Sequence, residues 1–134
     1  MGDRAAADYF LRCRATTLRA CGLSEAKARA MREIAQAAKA GQLDRETLKK
    51  LDSAQRAKHL TQIWGVGQWT ADMASIFYFG DKDVWPDGDV TARKTLARLT
   101  SARRKTVRTA ENFAPYRSYL AIHMWRYANA NPVS

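Results

Sequence analysis

The chain is 134 residues long, enough for one buried core and too short for a core plus a separate functional domain. With 23 Lys and Arg against 13 Asp and Glu its net charge is +10, a field that favours a polyanionic partner. No run of eighteen apolar residues occurs, and the N-terminus lacks the apolar stretch and small-residue cleavage site of a secretory signal, so neither a membrane span nor export is expected. Cys13 and Cys21, with only His59 and His123 beside them, make no ligand set for a structural zinc or an iron–sulfur cluster, so no metal centre is expected and both thiols read as reduced.

Helix follows helix along the sequence, and strand signals are absent. A first helix is expected from about Arg4 to Leu18. A second begins after Ser24, a good N-cap following Gly22, and runs through Ala28, Met31, Ile34 and Ala38 to stop at Gly41. Asp44 can cap a short helix carrying Leu48 and Leu51, and Ser53 another whose apolar residues Leu60, Ile63 and Trp64 lead into Gly65-Val66-Gly67. Gln68 to Phe79 has only Thr70, Asp72 and Ser75 as interior polar residues and is expected to be the most buried helix. A loop from Asp81 to Gly88 precedes a helix that Asp89 can cap, and two more helices follow, near Thr106–Phe113 and Tyr116–Asn129. Pro86, Pro115 and Pro132 punctuate the second half without separating domains, so a single all-α domain over 1–134 is expected.

The segment 60–71, Leu60-Thr-Gln-Ile-Trp-Gly-Val-Gly-Gln-Trp-Thr-Ala71, reads as a glycine hairpin between two helices. Gly65 and Gly67 permit positive φ and leave no side chain between backbone N–H groups and an approaching phosphate, and the helix that follows turns its positive dipole end to the same anion. Such a clamp ignores base identity. The alternative is an ordinary tight helix–helix turn.

This hairpin resembles that of the helix-hairpin-helix superfamily of DNA glycosylases. Asp83-Val-Trp-Pro-Asp-Gly-Asp89, Pro115-Tyr-Arg-Ser-Tyr119 with His123-Met-Trp-Arg126, and Leu18-Arg-Ala-Cys-Gly-Leu-Ser24 are similar to segments of its 3-methyladenine DNA glycosylase II branch. The likeness runs from Leu18 to Tyr127 and implies a helix-hairpin-helix glycosylase-like domain that lacks the family's N-terminal β domain and first helices, including the one bearing the loop that fills the gap left by a flipped base. It implies a hydrolase that breaks the N-glycosidic bond of alkylated bases in double-stranded DNA during base excision repair, in the cytosol or nucleoid of a bacterium. The loop 81–89 would be catalytic. Asp89, at the first turn of its helix, would accept backbone N–H bonds and stay ionised, and would either orient the attacking water or stabilise the cationic sugar directly; taken alone it reads first as a helix cap. Strand-cutting relatives carry a Schiff-base lysine where this chain has Trp69, so a monofunctional enzyme that leaves an abasic site is implied.

Trp69 and Trp125 match positions lining the base pocket in the resembling family, where indole faces would sandwich a cationic base; core packing is the alternative for both, above all for Trp69. Tyr116, Tyr119, Met124 and Tyr127 read as core, His123 as a partly buried histidine, Asp81 and Asp83 as solvated charges, and Asp87 as a rival carboxylate. Backbone phosphates would meet Gly65, Val66, Gly67 and Thr70, together with Arg93 and Lys94 of the basic run Val90–Ala110, which has seven cations and no acid. No cofactor is expected, an alkali-metal ion at the hairpin staying open. Two other readings stay open: a non-catalytic DNA-binding module, and one part of a composite enzyme completed by a partner chain or a second copy.

Overall fold

A computed structural model describes residues 3–133, with side chains from residue 5 onward. Met1, Gly2 and Ser134, the ends of the expected domain 1–134, lie outside the described residues. Among the described residues every regular element is helical, as expected of an all-α chain. The chain divides into two compact units, Met1–Gly67 and Gln68–Ser134.

In the first unit, helices α1 (Asp3–Arg12) and α2 (Ala15–Ala20) both pack on α3 (Glu25–Lys39). The expected first helix, Arg4–Leu18, is therefore two helices. Arg14 is extended, with φ −69° and ψ 143°, and the Cys13 carbonyl, turned out of the helical ladder, accepts from the Arg32 guanidinium of α3. That external donor satisfies the carbonyl and lets the chain bend there without an orphaned polar group. Alanine dominates the core around α3, with Ala7, Ala28, Ala35 and Ala37 buried, so the helices approach closely.

Ser24 caps α3 as expected, accepting from the Lys27 N–H at 3.2 Å, and Asp44 caps α4 (Arg45–Lys49) through the Thr47 N–H at 3.0 Å. The cap of α5 (Ser53–Leu60) is Asp52 rather than Ser53. Asp52 and Gln55 form a reciprocal capping box, each side chain accepting from the other's backbone N–H, which a cap at Ser53 could not make with Arg56. Arg56 points inward instead, only 2% exposed, and donates to the Leu48 and Leu51 carbonyls at 3.0 and 2.8 Å. A cation at the C-terminal end of α4 meets both the free carbonyls and the negative end of the helix dipole, which is how a buried guanidinium is tolerated.

The second unit opens with α6 (Gln68–Met73), which runs directly into a π-helical turn (Ala74–Tyr78) closed by the Phe79 N–H on the Ala74 carbonyl. This stretch is not the most buried of the fold. It buries Ala71, Asp72, Ser75 and Ile76 but exposes Trp69, ahead of the π turn, and Phe77 and Tyr78 within it, where the wider turn departs from the single 3.6-residue stripe that an unbroken helix would bury. Helices α7 (Val90–Leu99), α8 (Thr106–Glu111) and α9 (Arg117–Ala130) pack on one another around Ala92, Leu96, Ala110, Leu120 and Met124, with Trp85 and Trp125 lying against that cluster.

The loop between the π turn and α7 is fastened to the first turn of α9. The Ser118 hydroxyl donates to the Asp81 carbonyl at 2.7 Å and accepts from the Val84 N–H at 2.9 Å, while its own N–H donates to the Lys82 carbonyl. Asp83 is not a solvated charge: Arg117 grips both of its carboxylate oxygens, at 2.7 and 3.0 Å. That fork, with the Arg117 N–H, holds the Asp83 carboxyl below the ordinary carboxylate range and raises Arg117 in turn. Sequence placement of Tyr116, Tyr119 and Tyr127 in the core is also overturned. All three are exposed, as is His123, and only Met124 of that group is buried.

Candidate active site

Asp89 initiates α7 from an extended backbone, and its Oδ1 accepts from the Ala92 N–H at 2.8 Å, so the capping role read from the sequence is real. It is not the whole role. The Trp69 indole N–H donates to Asp89 Oδ2 at 2.8 Å, and the Trp125 indole N–H donates to Asp89 Oδ1 at 2.9 Å. Three residues from α6, the start of α7 and α9 thus meet at one half-buried carboxylate. Burial is the largest single influence on that carboxyl and pushes its pKa up. The Ala92 N–H, the two indoles and the Thr91 N–H together outweigh burial, and Asp89 is held below the ordinary carboxylate range.

A tryptophan serving only the core would bury its ring, yet Trp69 is 50% exposed while its N–H is tied to Asp89. Trp125 is half-buried, and Phe77 stacks on it with centroids 5.7 Å apart and planes 29° from parallel. Phe77 is itself 64% exposed, so this aromatic surface stands open beside the carboxylate. Sequence reading missed Phe77. It lies in the π turn, and its partner Trp125 stands far along the chain on α9, so no local pattern joins them.

Asp87 is engaged elsewhere: it accepts from the Trp85 indole at 3.1 Å and from the Thr106 hydroxyl at 2.6 Å, tying the loop 81–89 to the start of α8. Arg93 is exposed and donates to the Asp87 carbonyl at 3.3 Å, and Lys94 is exposed beside it.

The hairpin closes the first unit. Gly65 has φ +87°, and a Cβ there would lie 2.4 Å from the Cβ of Ala30 on α3, so both backbone sign and close packing demand glycine. Gly67 differs from its expectation: its φ is not positive, and a Cβ would meet nothing within 4 Å. The Val66 N–H is spent on the Ile63 carbonyl. Trp64, next to Gly65, carries the Arg29 guanidinium 3.9 Å above its ring, and Arg29 also lies 3.7 Å from Glu33. Gly65, Gly67 and Thr70 are exposed, and Val66 is half-buried.

DNA-3-methyladenine glycosylase 1 of Schizosaccharomyces pombe is 33% identical to this chain over 115 residues, which are 81% of the chain and 50% of that protein. DNA-3-methyladenine glycosylase 2 of Escherichia coli is 32% identical over 108 residues, 81% of the chain and 37% of that protein. The solved structure of the S. pombe 3-methyladenine DNA glycosylase in complex with abasic DNA superimposes with a TM-score of 0.87 at 26% identity, covering 96% of this chain and 66% of that one. In sequence and in fold the chain is thus similar to 3-methyladenine DNA glycosylases.

No family model matches the sequence, and the chain spans half the length, or less, of these two curated relatives. As expected from the sequence, the chain is all-helical through the described residues, like the solved relative. Among those residues, no helix is long and apolar enough to cross a membrane.

Proposed function

We propose that this chain is a monofunctional DNA glycosylase that hydrolyses the N-glycosidic bond of alkylated bases in double-stranded DNA, with Asp89 as the catalytic anion. The observation that carries the reading is the pair of indole N–H groups on the Asp89 carboxylate. Together with the Ala92 and Thr91 N–H groups they keep it ionised and a poor proton acceptor, which suits a fixed charge more than a general base. As the bond from C1′ to the base nitrogen breaks, its electron pair leaves with the base and positive charge grows on the sugar. A carboxylate that needs no reorganisation stabilises that charge, and water then adds to C1′ and gives up a proton to solvent, leaving an abasic site.

The exposed ring of Trp69 and the Trp125–Phe77 stack offer faces to an extruded base, favouring one made cationic by alkylation. With Trp69 in the Schiff-base position, no amine stands ready to attack the sugar. Gly65 and Gly67 would admit a backbone phosphate to the hairpin, with Thr70, Arg93 and Lys94 adding sequence-independent contacts; Val66 would contribute shape rather than its engaged N–H.

The test is incubation with duplex carrying 3-methyladenine or 7-methylguanine, followed by chromatography of released bases and borohydride trapping. Free base, intact strands and no trapped adduct are expected. Binding without release would turn the reading to a DNA-binding module.

A composite site completed by a second copy or a partner chain is favoured by one observation. The second unit keeps an apolar cleft of about 580 Å³ in which Phe113, Tyr116 and Tyr119 are exposed. Light scattering at micromolar concentration is expected to give a mass above the 15.1 kDa of one chain, and a monomer that excises bases would remove this second reading.

A further inference from the structure

The proposed function uses Arg93 and Lys94 but leaves the rest of the basic run without a task. Arg103, Arg104, Lys105 and Arg108 line a single open cleft of about 360 Å³ with Ser101, between the end of α7 and the first turn of α8. All four cations are exposed, no acidic residue lines the cleft, and among the described residues none of the four forms an ion pair. Four like charges gathered without a counter-charge repel one another, a cost that the chain could shed with a single carboxylate. The run from Val90 to Ala110 contains none.

The cleft is fixed relative to the candidate active site. Thr106 directly follows Lys105, is buried, and donates its hydroxyl at 2.6 Å to Asp87, two residues before Asp89. Arg93, from the first turn of α7, donates to the backbone of that same Asp87. One hydrogen-bonded junction therefore carries the catalytic loop on one side and the four-cation cleft on the other.

We propose that this cleft is a second phosphate-binding site, one that holds the DNA backbone flanking the nucleotide presented to Asp89. It is separate from the glycine hairpin and acts through arginine and lysine side chains rather than through backbone. The proposal rests on the glycosylase reading for the identity of its ligand. Guanidinium forks suit phosphate oxygens, and contacts to phosphate alone give affinity without sequence preference while fixing the register of the strand.

The experiment is fluorescence anisotropy of the full chain on an undamaged duplex and on a duplex with a stable abasic analogue, across a salt series. Arg104→Gln/Arg108→Gln is expected to weaken affinity about tenfold or more at low salt and to lower the magnitude of the slope of log K against log salt by about two, the number of phosphate contacts removed. Arg104→Lys/Arg108→Lys is expected to restore the slope. Lys49→Gln/Lys50→Gln, which removes the same charge from exposed positions in the first unit, is expected to leave it unchanged. An unchanged slope in the first variant, or an equal fall in the Lys49 and Lys50 variant, overturns the cleft and reduces the effect to net charge. Base release by the unaltered chain is assayed alongside. Absent release with a fallen slope would sink the glycosylase reading and leave the cleft standing, whereas release with an unchanged slope would do the reverse.

Discussion

The two units of the chain solve different problems with different parts of the sequence. The first surrounds α3 with buried alanines and ends its helices with local devices, namely Ser24, Asp44, the Asp52–Gln55 box and the buried Arg56. Its candidate functional feature, the glycine turn at Gly65 and Gly67, is made of backbone. The second unit buries larger side chains around Leu96 and Met124, yet leaves Trp69, Phe77, Tyr116 and Tyr119 exposed, and its candidate functional feature is the Asp89 carboxylate at the start of α7, reached by indoles from α6 and α9. A site of backbone keeps its fold wherever an added Cβ finds room. One built from converging side chains depends on each donor.

That contrast is broken most sharply at the two hairpin glycines. Gly65→Ala places a Cβ against Ala30 at a positive φ and is expected to destabilise the first unit by about 2–5 kcal/mol, seen as a lowered denaturation midpoint. Gly67→Ala has open space and an ordinary φ, so thermal stability is expected to hold while affinity for any duplex falls. If Gly67→Ala leaves binding intact, the hairpin is a structural turn and no phosphate approaches it.

The carboxylate side is tested through its donors. Trp125→Phe keeps an aromatic face but removes one charge-assisted hydrogen bond, and is expected to slow base release about tenfold or more, from a loss of about 1.5–3 kcal/mol. The direction of the Asp89 shift fixes the sign of the pH dependence. A carboxyl held below its ordinary value stays charged as pH falls through that value, so the acid limb of the release profile is expected below about pH 3.9 and is expected to move upward in Trp125→Phe. The same shift stabilises the fold above the unfolded-state pKa, and that contribution disappears as pH falls through the folded one. A limb that does not move would show that the indole does not tune Asp89.

Smaller effects come from charges away from the reacting centre. Asp83→Asn loses the fork with Arg117, and because both side chains are about one-third exposed the expected cost is about 1 kcal/mol, read by denaturant unfolding. Asp72 goes the other way. It is 8% exposed, and burial raises its carboxyl despite the 2.9 Å bond from the Gln68 amide. A raised folded pKa contributes stability at low pH that is lost as pH rises through it. Asp72→Asn is therefore expected to raise the melting temperature at neutral pH and to lose that advantage near pH 3.

Legibility from the sequence followed separation along the chain, in both units alike. Caps at Ser24, Asp44 and Asp89 were readable because a cap and its partner N–H lie three residues apart. The break between α1 and α2 was not, since it is stabilised by Arg32, 19 residues beyond the Cys13 carbonyl. In the site, Asp89, Trp69 and Trp125 were readable as candidates through resemblance, but their meeting spans 20 and 36 residues and carries no local signature. Phe77 was hidden by its distance along the chain from Trp125, and the Asp83–Arg117 fork by a separation of 34 residues.

Under the proposed function Asp89, ionised between two indoles, is the anion that makes base release possible. The most direct test of that role is the single-turnover rate of release from methylated duplex by Asp89→Asn beside the unaltered chain, with duplex affinity measured on the same preparations. Asparagine caps a helix as well as aspartate does, so α7 is expected to survive. Release is expected to fall by about two to three orders of magnitude, with affinity equal or improved. Release at the unaltered rate would exclude Asp89 as that anion.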